Sequence, residues 1–106
     1  VNGAQLIDTE RRRQLFVEGY DARHDHDHDG GELSKAAAIY ALDASDNIMA
    51  SQCGLKLHVE KSPPTTWPWE PEWWKPTPED LVKQLVKAGA LIAAEIDREL
   101  ARRDGQ

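Results

Sequence analysis

Histidine and aspartate alternate along His24-Asp25-His26-Asp27-His28-Asp29, just ahead of Gly30-Gly31 and Glu32. Imidazole and carboxylate groups are the ligands of zinc, manganese, iron and nickel. His24, His28 and Glu32 stand four residues apart, the spacing of one helix face, but two adjacent glycines interrupt helices and favour a loop. The spacing therefore predicts a loop-borne site for a divalent metal ion, built from His24, Asp25 and His28 and completed by Glu32 at the start of the next helix. The same residues have a second use. Asp29 can serve as an N-cap, and acids near the positive end of a helix stabilise it without any metal.

Two acid pairs, Glu18-x-x-Asp21 and Asp29-x-x-Glu32, flank that loop. Such carboxylates can hold magnesium for phosphate chemistry, and at helix ends they also act as caps. All four tryptophans, Trp67, Trp69, Trp73 and Trp74, fall in one proline-rich stretch. Indole faces can stack on a planar ligand such as a base, so Trp73 and Trp74, with Lys75 or Lys87 for a phosphate, form a candidate anion-binding set. The alternative is that the indoles fill a core or a subunit contact. Nucleophilic catalysis finds no support, because there is no G-x-S-x-G motif and Cys53 has no placed partner; a phosphate-cradling glycine loop is also missing.

The elements that must position these residues are chiefly helical. A first helix is expected over residues 8–18, with Asp8 as N-cap and Gly19 as its stop. A second is expected over 32–43, where Leu33, Ala36, Ala37, Tyr40 and Ala41 keep helical spacing while Ile39 and Leu42 widen the apolar face. Leu55, Leu57 and Val59 alternate with polar residues, as in a half-buried strand that pairs with residues 48–52 in a hairpin; irregular or helical structure is the other reading. The segment 62–76 carries five of the six prolines, which rule out a regular helix or central strand, so it should run extended and bury its indoles. A long last helix follows, with Thr77 as N-cap, Pro78 in first position and acids in the first turn. Its stripe is read as Leu81, Leu85, Ala88, Ile92, Ile96 and Leu100, with Val82, Val86 and Gly89 beside it. Small residues on the second and last helices, Ala37 and Gly89 among them, predict a close pair with the tryptophan segment wrapped over it.

These elements make one mainly α domain spanning residues 1–106, a three-helix fold with a Trp/Pro-rich extended segment and room for a small β-hairpin. A net charge of −6 argues against a duplex-DNA surface, and the one basic block, Arg11-Arg12-Arg13, reads as a solvated helix face. No apolar run reaches the roughly 20 residues of a membrane span. A single cysteine and no recognisable leader point to the cytoplasm. The length of the last helix, the broad apolar face of the second and the cluster of tryptophans predict self-association as a homodimer.

Several motifs resemble a group of short proteins encoded by bacteriophages and prophages. They are Glu10-Arg11-Arg12-Arg13-Gln14, Glu18-Gly19-Tyr20-Asp21, Gly31-Glu32-Leu33, Trp67-Pro68-Trp69, Trp73-Trp74-Lys75-Pro76 and Asp80-Leu81-Val82-Lys83. The resemblance implies a phage setting inside a host cell. The acid pairs are also similar to those of the all-α nucleotide pyrophosphohydrolases of MazG type, which implies magnesium-dependent nucleotide hydrolysis, although this chain has no E-x-x-E. Gly19-Tyr20 followed by Asp21 and Asp25 is similar to the ryanodine-receptor repeat domain. Together these lead to an expected phage-type accessory protein that binds a small anionic, nucleotide-derived ligand or a host protein. A metal-dependent nucleotide pyrophosphohydrolase is the rival expectation.

Overall fold

The computed structural model describes residues 1–17, 30–55 and 62–105. They form α1 (Gly3–Phe16), α2 (Glu32–Gln52), a 3-10 turn (Pro71–Trp73) and α3 (Leu81–Asp104), with no strand among the described residues. The fold is mainly α, as the helical spacing predicts. Both α1 and α2 pack against α3 and not against each other, so the last helix is the shared partner. Ser34 meets Glu95 at one end of the α2–α3 pair and Tyr40 meets Gln84 at the other, so these two helices run antiparallel.

The helix boundaries depart from the spacing-based expectation for local reasons. Asp8 is not a cap: α1 begins earlier, where Asn2 and Gln5 exchange bonds in a capping box of 2.8 and 2.9 Å. Helix α2 does not stop at Asp43 but continues to Gln52, so residues 48–52 are helical and cannot be a hairpin strand. The polar run Ser45-Asp46-Asn47 has weak helix propensity, yet Ala44 and Asn47 are fully buried on the continuing face, and burial outweighs propensity. Asn47 returns its amide to the Asp43 carbonyl at 3.2 Å. The true stop is Gly54 at φ +74°, where Leu55 N–H reaches the Ala50 carbonyl and Gly54 N–H the Ser51 carbonyl, a Schellman ending. Residues 56–61, which hold most of the expected strand, lie outside the described residues.

Nor does Thr77 cap α3. It folds into a turn with Asp80, and Asp80 Oδ1 accepts the Lys83 N–H at 3.0 Å as the actual N-cap. The close α2–α3 pair and its tryptophan wrap do form: Ala36, Ala37, Ile39, Tyr40, Trp67, Trp74 and Ala88 make one buried cluster. The stripe on α3, however, is not the one expected. The face turned to α2 is Gln84, Ala88, Leu91, Glu95 and Arg98, small and polar apart from Leu91. Gln84 is buried because its amide is fully used, accepting the Thr77 N–H at 2.7 Å and donating to the Tyr40 carbonyl and Asp43 Oδ2, both at 2.9 Å.

Gly89 does not oppose Ala37. A Cβ built there would strike Ile7 Cδ1 and lie 2.7 Å from Ile7 Cγ1, so this glycine admits α1. Gly89→Leu is therefore expected to push Ile7 and α1 away at about 1–3 kcal/mol, after any gain in helix propensity. An unchanged midpoint in thermal unfolding would contradict this seating of α1. Arg11 also departs from the solvated-face reading. It is buried, and its Nε and Nη2 both donate to Asp97 Oδ2 at 3.2 Å, tying α1 to α3. Its neighbours behave as expected of a solvated face, with Arg12 pairing with Asp8 and Arg13 with Glu10 along α1.

Candidate functional site

The candidate site is organised by Tyr40, a fully buried residue of α2. Its hydroxyl donates to the Trp73 carbonyl at 3.3 Å and accepts the Lys75 N–H at 3.1 Å, so it grips the chain on both sides of Trp74. Between those two bonds Trp74 turns inward and stacks on the Tyr40 ring at 4.9 Å and 21°. Trp67 closes edge-on against both, at 5.4 Å from Tyr40 and 5.2 Å from Trp74, and its indole N–H donates to the Glu70 carbonyl at 3.1 Å. Edge-to-face and offset-stacked pairs are the favoured aromatic geometries. Burial raises the Tyr40 phenol above its ordinary pKa, against the opposing effect of the Lys75 N–H.

Alternation does the rest. With Trp74 held inward, the flanking side chains of Trp73 and Lys75 point out, and Trp73 is 56% exposed. The 3-10 turn fixes their backbone, since Trp73 N–H bonds the Glu70 carbonyl and Trp74 N–H the Pro71 carbonyl. Lys87 on α3 lies with its ammonium 4.9 Å from the centre of the Tyr40 ring, a cation–π contact. Of the four residues expected to bind an anion, Trp74 and Lys87 thus serve the Tyr40 cluster, while Trp73 and Lys75 are outward. The exposed carboxylates of Glu70 and Glu72 stand beside them in sequence and oppose an anion there.

Of the expected metal ligands, His24, Asp25 and His28 lie outside the described residues, as do Glu18, Asp21 and Asp29. Glu32 is described, and its Oε2 accepts the Gly30 N–H at 2.9 Å at the entrance to α2. No group of three or more metal-ligating side chains occurs among the described residues.

A second cluster, which the spacing of residues does not announce, sits where α2 begins. Gly31 is the N-cap of α2 at φ +84°, a backbone conformation that suits glycine, and it has no side chain with which to cap. Glu95 of α3 supplies the missing acceptor: its Oε1 takes the Ser34 hydroxyl at 2.8 Å and the Ser34 N–H at 3.4 Å. Its Oε2 takes Arg98 Nε at 2.6 Å, and Arg98 Nη2 goes on to Glu99. Burial pushes the Glu95 carboxyl up, but the bonds from Arg98 and Ser34 outweigh it and hold the group below the usual carboxylate range. The Glu95 bond in turn raises Arg98, so the pair is ionised and its carboxylate occupied. Glu99 is likewise lowered, first by its bond to Arg102. The cluster is a helix-to-helix clasp whose acids are already neutralised by arginines.

Among the described residues no helix is long and apolar enough to cross a membrane. No family model, curated protein or solved structure matches this chain.

Proposed function

We propose that this chain is a binding protein, and that the Trp73–Lys75 turn is its anchor for a protein partner, a host protein in the phage setting that the sequence motifs imply. The observation that carries the reading is a large apolar side chain left outside by a rigid support. Trp73 is more than half exposed while its own carbonyl is held by the buried Tyr40. Holding a side chain in place before binding lowers the entropic cost of association. Tryptophan is among the residues most often found at the energetic centre of interfaces. A small-molecule site usually needs a concave pocket, and Trp73 stands on a turn with Glu70 and Glu72 beside it. The protein reading is therefore favoured over the anionic-ligand one.

The experiment is affinity capture from a bacterial host extract with the wild type and Trp73→Ala, followed by a titration with the purified partner. The variant is expected to keep its helical circular dichroism and to lose about 2 kcal/mol of binding, roughly 30-fold in Kd. Equal retention of the partner by both proteins would refute the assignment. Quenching of tryptophan fluorescence by AMP or ATP in the wild type but not in the variant would return the site to an anionic ligand.

A further inference from the structure

Leu91 packs on the α2 side, but five other large apolar residues of α3 are left half-exposed by its two neighbours. Val82, Leu85, Ile92, Ile96 and Leu100 are between 40% and 60% exposed. Positions 82, 85, 92, 96 and 100 are separated by three, seven, four and four residues, the repeat of one helix face. Ile7 of α1 covers Gly89, so α1 flanks the middle of the strip and the exposed residues lie beside it. The strip runs about 27 Å from Val82 to Leu100. Towards its C-terminal end Ile96, Leu100 and Arg103, with Glu95 and Glu99, line a groove of about 260 Å³.

We infer that this strip binds a second copy of the same chain, α3 against α3 in antiparallel orientation. The argument is charge complementarity along the strip itself. Exposed Glu79 stands just before it and exposed Arg103 just after it. Glu79 with Arg103, and Val82 with Leu100, are each symmetric about position 91. A twofold axis near that position therefore brings Glu79 of each copy to Arg103 of the other, and Val82 of each copy to the groove at Leu100. The same operation opposes the two helix dipoles. Parallel pairing would set Arg103 against Arg103 and Glu79 against Glu79. A closed twofold contact needs a surface complementary to itself, and only the antiparallel arrangement makes this strip so.

Analytical ultracentrifugation of the whole chain at micromolar concentration and low salt tests the inference. The expected result is a dimer that Ile96→Glu weakens at least about tenfold, with helical circular dichroism retained because the site is exposed. Glu79→Arg is expected to weaken the dimer about threefold or more by placing like charges together, and Glu79→Arg with Arg103→Glu to restore it. A single-chain mass at every concentration overturns the inference. A dimer indifferent to Ile96→Glu overturns the face, and a charge swap that fails to restore association overturns the antiparallel register. These outcomes are read on the protein alone and are independent of the Trp73 turn.

Discussion

Tyr40→Ala is expected to lower the unfolding free energy by about 3–5 kcal/mol, a large share of what a domain of this size has. The side chain is fully buried at the centre of an aromatic cluster, and its removal leaves Trp74 without the ring on which it stacks and Trp67 without an edge partner. It also frees the Trp73 carbonyl and the Lys75 N–H, which the hydroxyl satisfies together. Tyr40→Phe separates these contributions. The ring and its packing stay, two hydrogen bonds go, and the expected loss falls to about 1–2 kcal/mol. Urea unfolding followed by circular dichroism gives both numbers. Tryptophan emission supplies a second readout: it should shift to the red in the alanine variant as Trp67 and Trp74 meet water, and change little in the phenylalanine variant. Equal losses in the two variants would mean that the hydroxyl, not the ring, carries the cluster.

The second large effect is expected at Glu95. Glu95→Ala should cost about 2–4 kcal/mol, because it strands a buried guanidinium and removes the cap of α2 in one step; the Glu99 bond to Arg98 keeps the loss below that of a fully isolated charge. The same residue predicts a pH dependence. Its carboxyl is held below the ordinary value of 4.5, so in acid the unfolded chain binds the proton first and stability rises with pH. The contribution is complete above about pH 4.5 and is lost as pH falls through the lower folded-state value. Glu10, lowered chiefly by its bond to Arg13, acts in the same direction. Urea midpoints measured from pH 7 down to pH 3 should therefore decline in acid, and decline less steeply in Glu95→Gln. Parallel profiles for the two proteins would remove Glu95 from the explanation.

What the sequence determined by itself are the features that depend on neighbours in the chain. The helical class follows from apolar spacing and helix formers. The break over 62–76 follows from proline, which neither donates a backbone hydrogen bond nor accepts helical neighbours. That indoles are buried follows from their large apolar area, and Trp67 and Trp74 are core residues, although Trp73 stays outside. Even the end of α2 was present as Gly54, a signal masked by the alternation that follows it.

Tertiary structure alone decided which face of each helix does what. The large residues of α3 look like its core face from spacing alone, yet, Leu91 apart, α2 packs on small or polar residues: Ala88 gives room to the tyrosine–tryptophan cluster, and Gln84, Glu95 and Arg98 are buried with hydrogen-bond partners. Gln84 and Glu95 look solvent-facing in one dimension. They are buried because acceptors and donors 44 and 61 residues away in sequence satisfy them. Arg11 is drawn inward in the same way by Asp97, 86 residues on. Trp73 and Trp74 are adjacent and chemically identical, and one hydroxyl from another helix, bonded on either side of Trp74, turns the second in and leaves the first outside. Short-range propensity cannot encode that choice, since it rests on hydrogen bonds between groups that only the folded chain brings together.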